Sequence, residues 1–154
     1  MGTTTNAILF YGIIDRREDM LPWSTDDDCD ELQEELDELD FEGVLNKRLG
    51  GPPLPRGKYD REAYRKERGD FLDSKFDCDV SLVWHCCGEA PMYGIAIAST
   101  VRTARRGYPL QVRELDVREY ADESLRVTCQ ALGMDYDAIA AEGWIGWWLV
   151  SYWG

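Results

Sequence analysis

Two strand-like runs joined by a short turn constrain the fold of this chain more than any other feature. Residues Cys78–Cys87 and Met92–Thr103 each alternate between two kinds of side chain with a period of two, as the residues of a strand do. Gly88–Pro91 between them has the composition of a turn. The pattern predicts an antiparallel hairpin, and with it a sheet whose neighbouring strands run in opposite directions.

Five further segments supply the remaining predicted elements. Thr5–Ile14 is rich in β-branched and aromatic residues and predicts a buried strand. Trp144–Trp153 is apolar at both alternating positions, which predicts a central strand because both of its faces must be covered. Tyr108–Leu115 is a candidate for one more strand. Helical spacing of apolar residues predicts helices over Asp60–Lys75 and Tyr120–Leu132.

These elements together predict an α+β fold. We expect a mostly antiparallel sheet of four to five strands, packed by two to three helices, with a peripheral acidic helix. A length of 154 residues suits one domain, so residues 1–154 are expected to form a single domain. The Gly- and Pro-rich stretch at 50–57 is the best candidate for a break, although a connection within one domain explains it equally well.

The negative charge of the chain is concentrated in one segment. Residues 26–42 hold eleven acids and no base, whereas the whole chain has a net charge of −13. Removing those eleven charges leaves −2 for the other 137 residues. Within this segment Cys29, Leu32, Leu36 and Leu39 are separated by three, four and three residues. This spacing predicts a helix over about 24–42 with a narrow apolar stripe. A general nucleic-acid binder is basic, so direct nucleic-acid binding is not expected.

The sequence gives no reason to expect a membrane segment, a metal or a cofactor. The longest apolar run, Ala7–Ile14, has eight residues and is too short to cross a bilayer. The N-terminus has no basic stretch followed by a cleavage pattern, so no secretion signal is expected. Five cysteines without a Cys-x-x-Cys pair, and a single His, predict reduced thiols in a cytoplasmic protein rather than a zinc site.

A basic loop is the first candidate for a ligand site. Arg105 and Arg106 precede a glycine, Tyr108 follows it, and Arg102 lies shortly before. Guanidinium groups form bidentate hydrogen bonds with phosphate, and an aromatic ring can stack on a base. The loop therefore predicts a binding site for an anionic nucleotide. The alternative is a solvated turn whose arginines pair with surface acids.

Three more residues complete the predicted ligand site. His85 can offer a hydrogen bond to a base edge or a ribose, and Trp147 and Trp148 can add aromatic surface, although so dense an aromatic cluster also suits a core. His85 also shares its strand face with Cys87, so a thiol and a base could meet, which is the minimum for nucleophilic catalysis. No orienting acid or oxyanion motif accompanies that pair, and we do not expect an enzyme.

One face of the second hairpin strand carries small side chains, at Gly94, Ala96, Ala98 and Thr100. Small side chains let a large neighbour approach the backbone closely. A helix or the C-terminal tryptophans could be that neighbour, and so could a flat ligand lying on the sheet.

Three stretches resemble a set of small uncharacterised proteins of bacteriophages and prophages. They are Cys86–Tyr93 (CCGEAPMY), Ala104–Pro109 (ARRGYP) and Gly146–Gly154 (GWWLVSYWG). The resemblance covers mainly residues 78–154 and carries over no catalytic residue. It implies a host-cytoplasmic phage protein of a kind that often counters host defence by binding rather than by chemistry.

The sequence therefore favours a phage counter-defence protein that sequesters a nucleotide immune signal without catalysis, and it leaves a homo-oligomer open. The alternative is an acidic inhibitor of the anti-CRISPR type that mimics nucleic acid and blocks a host defence nuclease. In that alternative the exposed acids of the acidic helix, Asp30, Glu34, Asp37 and Glu38, contact the host protein.

Overall fold

A computed structural model describes residues 5–14, 39–55, 61–87, 91–112, 115 and 121–153. Along the chain the elements are β1 (Thr5–Ile14), α1 (Phe41–Arg48), α2 (Arg61–Asp73), β2 (Val80–Cys87), β3 (Pro91–Ile97), a 3₁₀ turn (Ala98–Thr100), β4 (Arg102–Arg105), α3 (Ala121–Leu132), α4 (Tyr136–Ala141) and β5 (Ile145–Trp153). The predicted α+β class is confirmed, with a five-strand, mostly antiparallel sheet packed by helices. Among these helices none is both long and apolar enough to cross a membrane.

The strand order is β3-β2-β5-β1-β4, and β3 also pairs with β1. The pairings β1–β3, β3–β2, β2–β5 and β5–β1 therefore close four of the strands into a ring. All of them are antiparallel except β2–β5, which joins only Cys86 and Cys87 to Tyr152 and Trp153. As predicted, the hairpin of β2 and β3 forms and β5 lies between two other strands.

The ring closes where β1 and β3 come together at a glycine. A side chain at Gly12 would overlap the carbonyl oxygen of Ile95, so only glycine allows this approach. On the ring's inner face Phe10, Val83 and Ala96 form a small buried cluster. On the other face Ile13 and Ile95 pack against the helices in the main core.

The predicted strand Met92–Thr103 is wrong in its second half. Regular strand structure ends at Ile97, the 3₁₀ turn intervenes, and β4 is a separate strand along β1. Thr100 stabilises the break, because its hydroxyl accepts a hydrogen bond from Tyr11 N at 3.0 Å and donates one to Ile97 O at 2.6 Å. Its buried side chain thereby satisfies backbone groups that a continuous strand would have paired.

Two other predictions need correction. The described part of Tyr108–Leu115 is not a strand; it makes one isolated bridge, Arg105 to Tyr108. The predicted acidic helix does not continue through residue 40. Asp40 is extended and caps α1, since its carboxylate accepts a hydrogen bond from Gly43 N at 2.7 Å. The rest of that helix lies outside the described residues.

Candidate functional site

A tight turn after β4 brings the basic loop residues together. The backbone N–H of Tyr108 donates to Arg105 O at 2.9 Å, and Gly107 takes a φ of 80°, which favours glycine. Arg105 ends the strand, Arg106 starts the turn, and the Tyr108 side chain is 77% exposed. The local sequence thus places two guanidinium groups and an aromatic ring around one reversal of the chain.

These three residues line a shallow cavity of about 460 Å³, which we call the trough. Its floor includes Ala104, Ala7 and Ser151, which lie side by side across β4, β1 and β5 in the pairing register. Small side chains at all three positions keep the floor low. The lining residues are Thr5, Asn6, Ala7, Ala104, Arg105, Arg106, Gly107, Tyr108, Pro109 and Ser151.

The trough differs in charge from the chain as a whole. None of its described lining residues is acidic and two are arginines, although the protein carries a net charge of −13. Two rows of larger side chains flank the floor on the same sheet face: Leu9 with Leu149 on one side, and Thr5 with Trp153 on the other. Leu149 and Trp153 are exposed, so the trough has raised apolar borders beside a basic end.

Arg102 does not join this site as predicted. Its guanidinium Nη1 donates to the carbonyl oxygens of Ser99 at 2.7 Å and Val101 at 2.9 Å. The side chain therefore braces the 3₁₀ turn before β4, and it is absent from the lining of the trough.

His85 also lies elsewhere. It is 7% exposed, opposite Met92 on β3 and on the same face of β2 as the inner-cluster residue Val83. Burial lowers the pKa of its imidazole, because the charged form is poorly solvated there. Its Nε2 has no hydrogen-bond partner among the described residues. His85 is thus a neutral, buried group in the sheet and not part of the trough.

The two predicted tryptophans point in opposite directions. Trp148 packs against the inner cluster, and its indole N–H donates to Gly12 O at 3.2 Å. Trp147 lies on the face of the trough floor and meets Tyr11 edge-on, with ring centroids 5.8 Å apart. It is four residues from Ser151, about 13 Å along the strand. Arg105, Arg106 and Tyr108 therefore line one cavity, with Arg105, opposite Asn6, on the sheet face away from the floor; the other four predicted residues do not line it.

The cysteines whose side chains the structure describes differ in burial. Cys78 and Cys129 are buried, and burial raises the pKa of the Cys129 thiol to about 12. Cys86 is a free thiol at a backbone φ of 72°. The Cys87 side chain, and Asp30, Glu34, Asp37 and Glu38, lie outside what the structure describes, so the predicted contact surface of the acidic helix stays a prediction. No cluster of three or more metal-ligating side chains occurs in the described ranges.

Sequence reasoning missed two features of the site region. The floor of the trough depends on the register of three strands, which no local pattern encodes. A second cavity, lined by Arg61, Arg65 and Arg68 of α2, was also not predicted. Its signal was present, since a spacing of four and three places those arginines on one helix face. Scans against protein-family models, curated proteins and solved structures each returned no match to the chain.

Proposed function

We propose that this protein binds an anionic nucleotide in the trough and holds it unchanged, acting as a phage counter-defence sponge for a nucleotide immune signal. The observation that carries the proposal is the meeting of Arg105, Arg106 and Tyr108 beside a floor of small residues. The phage context rests on the sequence resemblance alone.

The lining chemistry matches the parts of a nucleotide. A phosphate can accept charge-assisted hydrogen bonds from the guanidinium groups of Arg105 and Arg106. The exposed Tyr108 ring offers a stacking surface for a base, and Ser151 offers a hydroxyl on the floor. The overall negative charge opposes an anion only weakly at contact range, because salt screens charges beyond about 8 Å.

Binding without reaction fits the same residues. Among the lining residues that the structure describes there is no cysteine, histidine or carboxylate, and so none of the usual general bases and no thiol nucleophile. The described histidine lies in the sheet interior. A bound nucleotide would therefore be released unchanged.

Calorimetric titration tests the proposal, using cyclic di- and trinucleotides, cyclic mononucleotides and cyclic ADP-ribose isomers. Replacing Arg105 and Arg106 together with Ala should weaken binding about 100-fold, which corresponds to roughly 3 kcal/mol for two charged hydrogen-bonding groups. Tyr108→Ala should weaken it about tenfold through lost stacking. Heat release and chromatography of the ligand should return it intact.

Arg65→Ala is the matched control, because it removes an exposed guanidinium from α2 and leaves the trough untouched. It should bind the nucleotide as the unmodified protein does. Absence of binding across the panel, by folded and ligand-free protein, would refute the proposal and favour the acidic-inhibitor alternative. A converted ligand would instead indicate an enzyme.

A further inference from the structure

A second groove lies between α2 and the segment 39–55. Two cavities of about 250 and 650 Å³ adjoin there and share Leu39, Leu54 and Tyr64 as lining residues. We call the two together the α2 groove. None of its lining residues belongs to the trough, so any ligand it takes is independent of the proposed nucleotide.

One end of the α2 groove is basic. Arg61, Arg65 and Arg68 line the smaller cavity, and they lie on one face of α2 at positions i, i+4 and i+7. The four acids of α2, which are Glu62, Glu67, Asp70 and Asp73, are absent from the lining of both cavities.

Asp40, the one acid among the described lining residues, is already engaged. Its carboxylate accepts hydrogen bonds from Arg68 at 2.9 and 3.3 Å and from Gly43 N at 2.7 Å. Arg68 also pairs with Glu42 at 2.8 Å. Arg65, in contrast, is exposed, and no carboxylate of the described residues lies within ion-pair distance of it. The groove therefore contains Arg68, which is held by ion pairs, beside Arg65, which has no carboxylate partner among the described residues.

The other end of the groove is apolar. The chain at 51–55 forms one wall, with Pro52, Pro53 and Pro55 around a Leu54 side chain that is 51% exposed. Leu39, which is partly buried, continues this surface to the arginines, whereas Tyr64 lines the groove with only 8% of its surface exposed. Lys47 adds a cation to the lining of the larger cavity. A ligand that covers the whole groove therefore needs negative charges at one end and apolar groups at the other.

We propose that the α2 groove binds an acidic, leucine-containing peptide segment of a partner protein. Its carboxylates would meet Arg65 and Arg61, and its leucine side chains would cover Leu39 and Leu54. Charge complementarity supports this occupant, because the groove is basic on a strongly acidic protein. A small free anion would use only the basic end and leave the proline wall bare.

Fluorescence anisotropy tests the proposal with a labelled peptide copying residues 26–38, with Ser in place of Cys29, which has the required chemistry. The full-length protein should bind it, and binding should weaken as salt rises from about 0.05 M to about 0.5 M. A peptide with Asn and Gln at every acidic position should not bind. Failure of the acidic peptide to bind, or equal binding of the neutral one, would overturn the proposal.

A matched pair of variants locates the binding. Arg65→Glu replaces attraction by repulsion and should weaken peptide binding about tenfold. Lys66→Glu makes the same change of charge one residue along, outside the groove, and should have less than about a twofold effect. Equal effects of the two would overturn the proposal. Nucleotide titration of Arg65→Glu stays unchanged if the trough is separate, so the two proposals fail independently.

Two further outcomes would assign a different occupant and so overturn the partner assignment. In the first, the unmodified protein fails to bind the peptide, but a variant of it binds. That variant has Asn or Gln in place of Asp30, Glu34, Asp37 and Glu38. This result would mean that the chain's own acidic segment competes for the groove. In the second, sedimentation shows an oligomer that Arg65→Glu dissociates, and a second copy is the occupant.

Discussion

Replacing Gly94 by Ala tests whether the small-residue face of β3 is core surface or an open platform. A Cβ at Gly94 would lie 2.8 Å from Phe10 Cζ and 3.1 Å from Ile13 O. Phe10 is fully buried among Val83 and Ala96, so its ring cannot move without displacing the inner cluster. Overpacking of this kind costs about 1–3 kcal/mol, partly offset by about 0.5 kcal/mol from the stiffer unfolded chain.

Gly146→Ala is the control, because a Cβ there meets no atom within 4 Å. It should leave the free energy of unfolding unchanged or raise it slightly, and urea denaturation should separate the two variants by about 2 kcal/mol. Adding Phe10→Leu should shrink the cost of Gly94→Ala, since the leucine does not reach the site of the clash. Equal stability of Gly94→Ala and Gly146→Ala would refute the packing of Phe10 over β3.

Two other predictions concern stability. His85 is neutral when folded because its pKa lies below the ordinary 6.5, whereas the unfolded chain takes up a proton just below that pH. The free energy of unfolding should therefore fall as pH drops below 6.5, by at most about 1.4 kcal/mol per pH unit. Denaturation curves at pH 7 and pH 5 measure this loss, and the contribution of His85 to it should vanish in His85→Leu. Asp40→Ala should cost about 1–2 kcal/mol by removing the α1 cap and the exposed Arg68 pair, while Asp40→Asn retains the cap; equal losses in thermal denaturation would contradict the capping role.

Local patterns predicted the long strands and one helix well. The bounds of β1 are those that the β-branched and aromatic run indicates, and α3 ends where Gly133 takes a φ of 74°. The break after Ile97 was missed because its cause is not local. Thr100 leaves the strand pattern to bond Tyr11, which is 89 residues away. The alternating sequence of that stretch carries no trace of this contact.

The residues of the candidate site were also predicted correctly only where the local sequence determines their positions. Arg105, Arg106 and Tyr108 were grouped correctly because one turn holds them. Trp147 and Trp148 could have been separated from the sequence alone, since adjacent residues of a strand face opposite sides. The position of His85 relative to the turn depends on ring closure through β1 and β5, a long-range pairing that spacing along the chain does not encode.

The strand that leads into the trough lies at one edge of the sheet. β4 has four residues, and among the described strands it pairs only with β1. β4 begins and ends with an arginine, and charged side chains on an edge strand disfavour its pairing with a second copy of the strand. Pro109, just beyond the bridge to Tyr108, has no N–H to offer a new strand. Arg105, which is proposed to contact a nucleotide, thus acts together with Arg102 against edge-to-edge aggregation of the protein at high concentration.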